Sequence, residues 1–327
     1  MLKYLHKAIV LMYDWRNNYL NMKKEFAIII LNYNSKDIVY ECINSLTKFK
    51  LECRIIIVDN NSTDDSYKCL CEKYKTNQYI NVIKSNENGG YSKGNNIGIR
   101  YALMNYPDIK YISIMNPDVI IENRSTFTEC IKCLKEDDQL AAIIPKMIYK
   151  GKVDINQSGW KLPSYKEILF SNSTILFKIR KKNNNIEVNK KKNLLYVEVI
   201  HGSFFIMKVD VLKKIGLLDE NVFLYYEENI LGYKCKELGY KLAVNLKECY
   251  IHNHIDKSSN LKYARTVTKR LFKSEMYYIK KYKKCNFLEI IGLYIVHYLN
   301  LYVELPIIKG IKKLQLFIQK HSYKKVC

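Results

Sequence analysis

Four short apolar runs, each separated from the next by about the length of a strand plus a crossover helix, set what this chain can become. Phe26–Leu31, Arg54–Val58, Tyr79–Ile83 and Tyr111–Met115 start roughly 25 to 30 residues apart. Between the first two, Ile38, Val39, Cys42, Ile43 and Leu46 repeat at helical spacing. Ser35 stands just before them, where a hydroxyl can accept from the free amides of a helix start. Strands alternating with helices in this way build a doubly wound sheet, mostly parallel, with helices on both faces. The expected fold class is therefore α/β. In such sheets ligands bind at the carboxyl ends of the strands.

Polar clusters stand at those ends. Asn32-Tyr33-Asn34 follows the first run, and Asp59-Asn60-Asn61-Ser62-Thr63-Asp64 follows the second. A carboxylate at Asp59 can accept from a nucleobase or a ribose, although six polar residues can equally form an ordinary turn. Asn86–Asn96 follows the third run, and its Gly89 and Gly90 let backbone come close to a ligand or take positive φ. Asn116-Pro117-Asp118 follows the fourth, and a strand-end carboxylate suits a hard divalent cation beside phosphates. Tyr225-Tyr226-Glu227-Glu228 opens a later helix, whose N-terminal dipole tolerates acids. No Gly-x-x-x-x-Gly-Lys-Ser/Thr phosphate loop occurs.

Beyond Pro145 the pattern loosens. Lys178–Lys192, rich in Lys and Asn, reads as an exposed loop or flap. Leu194–Ile200 and Phe204–Lys208 read as strands, Asp210–Ile215 and Glu227–Leu238 as helices ended by Gly216 and Gly239, and Lys241–Leu246 and Tyr250–His252 as strands again. From Ser258 the chain is helical, basic and rich in Tyr.

With 327 residues, of which 48% are hydrophobic, the chain has room for one large α/β domain and an appendage, or for two domains. Lys and Arg number 54 against 32 Asp and Glu, a net charge of +22. The lysines are spread over the whole chain without aromatic interleaving on a recognisable module, so no nucleic-acid partner is expected. Attraction to an anionic membrane face or to diphosphate-bearing substrates is the expected use of the charge. The ten cysteines lack a second pair at zinc-finger spacing, and reduced thiols are expected.

Both ends carry amphipathic character. Residues 1–24 repeat Leu2, Leu5, Ile9 and Met12 at helical spacing. This stretch is an N-terminal extension, or is untranslated if Met22 is the natural start. One α/β domain is expected over 25–260, and a basic helical region over 261–327. Within that region Ile290–Val303 lacks full charges and is bracketed by Glu289 and Glu304. As a helix of that length it measures about 21 Å at ~1.5 Å per residue, short of the ~30 Å bilayer core. A buried or membrane-surface helix is expected, not a span.

Taken in order, the clusters resemble the family 2 glycosyltransferases, inverting enzymes of the GT-A fold, and especially their bacterial rhamnosyltransferase-like branch. The resemblance runs from about Glu25 to Ser258. Phe26–Asn34 is similar to the opening strand. Asp59–Ser66 resembles the Asp-Asn-x-Ser-x-Asp signature, whose first Asp holds the base. Asn88–Gly98 resembles Asn-x-Gly-Phe-Ala-x-Gly-Asn-Asn-x-Gly, and Asn116-Pro117-Asp118 the metal-binding Asp-x-Asp. Gly216–Glu220 and Phe223–Glu228 follow the Gly-x-x-Asp-Glu and Tyr-x-Glu-Asp motifs.

The resemblance implies a nucleotide-diphospho-sugar donor, dTDP-rhamnose or a UDP-sugar, bound by Asn32, Asn34, Asp59, Asn61, Asn88, Gly89, Gly90, Lys93, Asn96 and Asn116. It implies Mg²⁺ or Mn²⁺ on Asp118 and His252. It implies catalysis by Glu228 with Glu227, Glu228 replacing the usual Asp base. Ile230 and Lys234 stand where an Asp and an Arg are usual, so a catalytically impaired nucleotide-sugar-binding or scaffold protein of the same fold is the alternative. The implied acceptor is a growing cell-surface glycan, free or lipid-linked. The expected location is the cytoplasm, peripheral on the inner face of the plasma membrane.

Overall fold

The computed structural model describes residues 24–49, 51, 53–179, 187–189, 193–253, 261–311 and 315. They fall into two compact units, one drawn from Met1–Lys161, Ile186–Phe223 and Glu227–His254, the other from Leu162–Asn185, Leu224–Tyr226 and Ile255–Cys327. Residues 162–185 and 224–226 thus group with the C-terminal helices and not with the expected 25–260 domain. The N-terminal extension, apart from Lys24, and much of the 178–192 loop lie outside the described residues.

In the first unit, β1 (Phe26–Asn32), α1 (Lys36–Thr47), β2 (Arg54–Asp59), α2 (Ser66–Tyr74), β3 (Ile80–Lys84), α3 (Gly90–Asn105) and β4 (Tyr111–Met115) alternate as the apolar runs predict. Next come β5 (Val119–Ile120), α4 (Ser125–Glu136), β6 (Leu140–Tyr149), β7 (Lys152–Val153), the single turn α5 (Ile155–Ser158) and β8 (Gly159–Trp160). After α6 (Tyr165–Ser171) and α7 (Thr174–Ile179) of the second unit come β9 (Glu187–Asn189), β10 (Leu194–Val197), β11 (Val199–Ile200), β12 (Phe204–Lys208), α8 (Val209–Lys214), α9 (Glu227–Glu237) and β13 (Lys241–His252).

The central sheet runs β3-β2-β1-β4-β12-β6-β13-β10-β9. It is parallel from β3 to β4 and between β6 and β13, and antiparallel where β12 lies between β4 and β6 and at its far edge. The expected doubly wound core is present, but the sheet as a whole is mixed. Buried strands read as the same apolar runs in either direction. The core is made of side chains such as Ile28, Ile29, Ile30, Ile56 and Ile57, all 0% exposed, each worth ~1.5–3 kcal/mol of burial. Helix α3 lies so close to the sheet that a Cβ on Gly98 would come 2.5 Å from Ile29 and 2.8 Å from Val58.

Register decides which polar residues share an edge. Asn32 pairs with Asp59, and Asp59 with Lys84. Phe204 pairs with Met115, which sets the start of β12 beside the end of β4. His252 pairs with Val119, next to Asp118.

The second unit holds α6, α7, α10 (Leu261–Tyr278) and α11 (Phe287–Leu299). Capping boxes start α6 (Ser164 with Glu167) and α11 (Asn286 with Glu289). Helix α11 does not stop at Glu304, as the sequence reading expects. It continues through a wider turn, Asn300–Glu304, to Ile311. Its 25 residues span about 37 Å at ~1.5 Å each, enough by length and composition alone to cross a membrane. Glu304 does not end the helix because its carboxylate is satisfied, accepting from Ser173 Oγ at 2.7 Å and from the Ile175 amide at 3.1 Å.

Candidate active site

Asp59 is fully buried at the end of β2, and its carboxylate is spent on its own loop. Oδ2 accepts from Asn32 Nδ2 at 2.9 Å and from Ser62 Oγ at 2.6 Å, and Oδ1 accepts from the Ser62 amide at 2.9 Å. Asn34 fastens the same loop, donating to Thr63 Oγ1 at 2.9 Å and accepting from the Thr63 amide at 2.8 Å. Asn61 takes φ 60° to close the turn. Asp59 and Asn32, expected to face a nucleotide, spend these groups on one another and on Ser62. Tyr33, Asn34, Thr63, Asp64 and Asp65 are the exposed residues here.

The next loop is tied to this one. Asn60 Nδ2 donates to Asn88 Oδ1 at 3.0 Å and to the Gly90 carbonyl at 3.2 Å. Gly90 has φ +80°, and a Cβ there would sit 2.0 Å from the Phe223 carbonyl oxygen, so backbone meets backbone. The Tyr91 amide donates to that carbonyl at 2.9 Å. Gly89 allows the Lys93 stem to fold back on it, and Lys93 pairs with Glu87 at the surface. Asn96 departs from expectation. It is buried, and its amide is used in clasping α3 to the Gly216–Glu220 segment: Nδ2 donates to the Leu218 carbonyl at 2.9 Å and to Glu220 Oε1 at 2.8 Å, and Oδ1 accepts from the Leu218 amide at 3.1 Å.

At the end of β4, Asp118 Oδ1 and His252 Nε2 lie 3.4 Å apart, brought together by the β5–β13 pairing and by the Asn253 amide donating to the Asp118 carbonyl at 2.9 Å. The Asn116 amide donates to the Ser203 carbonyl at 2.7 Å. The His201 ring lies 5.4 Å from that of His252 and 6.3 Å from that of Trp160. A carboxylate oxygen and an imidazole nitrogen facing each other suit Mn²⁺ or Mg²⁺ when phosphates and water complete the shell. No group of three or more His, Cys, Asp or Glu gathers among the described residues, so the donors fit a cation shared with a ligand and not a closed structural site.

The carboxylate pair opens α9. The Gly202 amide donates to Glu228 Oε1 at 3.3 Å, and a Cβ on Gly202 would come 2.9 Å from that oxygen. The Tyr91 hydroxyl donates to the Gly202 carbonyl. Burial holds the Tyr91 hydroxyl well above its usual pKa, and the charge of Glu228 adds to this. Burial raises Glu228 too, offset in part by the backbone amides of Glu228 itself and Gly202. Glu227 is pushed up well above the carboxylate range by burial and then by the negative charge of Glu228. Tyr225 and Tyr226, just before them, have φ of 74° and 66°, left-handed values that cost a non-glycine residue about 1–2 kcal/mol each.

The departures at Ile230 and Lys234 turn inward. Ile230 is buried, and Lys234 Nζ donates to the Leu217 carbonyl at 2.8 Å. Sequence reasoning missed Trp160, which donates at 3.2 Å to Oδ1 of Asn229, the residue after the carboxylate pair. Its one signal was that it is one of two tryptophans in the chain. A continuous set of contacts thus runs from Asp59 through Asn60, Gly90, Tyr91 and Gly202 to Glu228, and His201, adjoining Gly202, packs on His252 beside Asp118.

Residues 27–216, more than half of the chain, match the sequence pattern of Glycosyl transferase family 2. The chain belongs to that family. Its fold is the GT-A fold. The low-salt glycan biosynthesis hexosyltransferase Agl10 of Haloferax volcanii is 28% identical over 172 residues, 53% of this chain and 50% of that protein. The chain thus spans about half the length of this curated relative. Among solved structures, the mannosyltransferase PcManGT from Pyrobaculum calidifontis, in complex with GDP-Man and Mn2+, superposes with a TM-score of 0.54 at 15% identity, covering 93% of this chain and 81% of that one. S. aureus TarS 1-349 in complex with UDP-GlcNAc gives 0.50 at 17% identity, covering 83% and 79%. At these identities the likeness of this family 2 glycosyltransferase to both is one of fold.

Proposed function

We propose that this glycosyltransferase moves a hexose from a nucleotide-diphospho-sugar to a hydroxyl of a growing cell-surface glycan, with inversion at the anomeric carbon. The observation that carries the proposal is the Glu228 carboxyl, held by the Gly202 amide on the same sheet edge as the Asp118–His252 pair. The acceptor oxygen attacks the anomeric carbon from the face opposite the diphosphate. The bond to the diphosphate oxygen breaks and its electron pair leaves with the nucleotide. Glu228 takes the hydroxyl proton, a general-base contribution of ~10²–10⁴-fold. Burial and the charge of Glu228 raise Glu227, which disfavours a second negative charge beside the base.

Asn34, Asn61, Asn88 and the Gly89–Gly90 backbone would meet the nucleotide beside Asp59 and Asn32. Asp118 and His252 would hold Mg²⁺ or Mn²⁺, which when bound neutralises charge on the departing diphosphate. The relative named as a hexosyltransferase supports a hexose, and nothing singles out rhamnose among dTDP- and UDP-linked sugars. A membrane-bound or lipid-linked acceptor on the cytoplasmic face is supported by α11. One of its faces packs on α10, where His297 stacks on Phe272 at 3.7 Å. Leu288, Ile295, Leu299, Val303 and Ile307 along it are exposed, and Lys280, Lys281, Lys283 and Lys284 precede it. Such a helix is suited to lie in the interface of an anionic bilayer.

Thermal-shift and turnover measurements on the full chain with UDP-, dTDP- and GDP-sugars, with and without Mn²⁺, test the proposal. Stabilisation by one nucleotide sugar, stronger with Mn²⁺, together with release of the nucleoside diphosphate, is the expected result. Binding without turnover under any acceptor would point to a nucleotide-sugar-binding protein, and the absence of binding would overturn the proposal.

A further inference from the structure

His201 stands between the proposed base and the proposed cation site, and all of these residues belong to the sheet unit. Its amide donates to the Ser158 carbonyl at 3.0 Å, which fixes the backbone just after β11. Its ring packs against two others, that of His252 at 5.4 Å and, edge-on, that of Trp160 at 6.3 Å. His252 Nε2 is 3.4 Å from Asp118 Oδ1, and the residue after His201 supplies the amide that donates to Glu228.

Nδ1 of His201 is committed. It accepts from the Ser203 amide at 3.1 Å, and a backbone N–H can only donate, so Nδ1 bears the lone pair and Nε2 the proton. The direction of the other bonds follows. Ser203 Oγ, 2.9 Å from Nδ1, donates its one proton there, and the Tyr250 hydroxyl, 2.9 Å from Ser203 Oγ, donates in turn to Ser203. Ser203 and Tyr250 are each 1% exposed. Packing alone would favour Ala and Phe at these positions, because burying two hydroxyls costs desolvation that only their hydrogen bonds offset. What the hydroxyls supply is a His201 ring held with Nε2–H as its donor edge.

We infer that His201 is a further substrate-contacting residue of the transfer: its Nε2–H donates to an oxygen of the departing diphosphate. This rests on the reading that Glu228 and the Asp118–His252 pair serve one reaction. In an in-line displacement negative charge grows on the diphosphate, on the side of the anomeric carbon opposite the base. The ring contact with His252 puts His201 on that side, while its chain neighbour Gly202 reaches the base. A donor fixed there beforehand stabilises the growing charge without reorganising. The proton stays on Nε2, so no bond forms or breaks other than those of the transfer.

The test uses the full chain labelled with ¹⁵N-histidine. With six histidines in the chain, the His201 signals are assigned by their loss in His201→Phe. That variant keeps a ring against His252 and Trp160 and removes the donor, whereas His201→Gln keeps an N–H near the place of Nε2. The probes are pyrophosphate, UDP, dTDP and GDP, each with Mg²⁺. His201 is expected to carry its proton on Nε2, and its Nε2–H signal to move with pyrophosphate and with at least one nucleoside diphosphate. Affinity for pyrophosphate is expected to fall about ten-fold to 10²-fold in His201→Phe, the range for a hydrogen bond to a charged group, and to recover in part in His201→Gln. Turnover is expected to fall in the same order. A proton on Nδ1, an Nε2–H signal that pyrophosphate or every nucleoside diphosphate leaves unmoved, wild-type affinity in His201→Phe, or a His201→Gln variant no better than His201→Phe overturns the inference. A wild type that binds these probes through His201 but transfers no sugar removes the functional proposal and leaves the diphosphate contact standing.

Discussion

Glu275 and the Glu227–Glu228 pair share a physical condition: all three carboxyls are raised by burial, Glu275 up to about 7 from an ordinary value of 4.5. A raised folded-state value means that the folded chain binds the proton more tightly than the unfolded chain. Its favourable contribution is therefore complete below about 4.5 and is lost as pH rises through 7. Melting temperature is expected to fall between pH 5 and pH 8, and Glu275→Met is expected to flatten that slope; a wild-type curve that rises over the same range would contradict the assignment. Other residues show how far single positions could be read. Asp59 was legible as a special carboxylate because a polar cluster follows an apolar run. That its oxygens would go to Asn32 and Ser62 was not legible, since hydrophobic pattern fixes depth and face but not the partner contributed by a neighbouring strand. Asn96 is the same case, its partners being Leu218 and Glu220, more than a hundred residues away in sequence.

At the scale of elements, β1 to β4 and their helices follow directly from spacing, and α9 and β13 were found within a residue or so at their outer ends. Strand β6 was not. Pro145 lies in its middle and reads as a breaker, since proline has no amide to donate. The strand tolerates it because Pro145 pairs with Asn245, where the β6–β13 ladder shifts register before resuming at Cys249. Helix α11 was read too short for a related reason: a glutamate looks like an end until its carboxylate is seen to be satisfied by Ser173 and Ile175. The exposed side of this helix gives an element-level prediction. Ile295→Lys with Leu299→Lys is expected to reduce co-sedimentation with anionic phospholipid vesicles at least several-fold while leaving activity on a soluble acceptor analogue unchanged. Retained binding would show that α11 is not the lipid contact.

For the molecule as a whole, the edge formed by the ends of β1, β2, β4 and β13 and the start of β12 collects nearly everything chemical in the chain. Chain order explains why so much of it was legible. Four of the polar clusters directly follow apolar runs, so the strands that bury the core also deliver those residues, whereas the carboxylate pair comes at the start of α9. What stayed hidden came from outside that rhythm: Trp160 on a two-residue strand, and the bond that Glu275 of α10 accepts from Tyr226. The overall charge of +22 fits the proposed use of diphosphate-bearing donors at an anionic lipid surface. The central claim is that Glu228 deprotonates the acceptor. It is tested most directly by comparing Glu228→Gln with wild type for both donor affinity and turnover. A loss of ~10²–10⁴-fold in kcat with donor affinity essentially unchanged is predicted. Turnover at the wild-type rate, or an equal loss of donor binding and turnover, would contradict it.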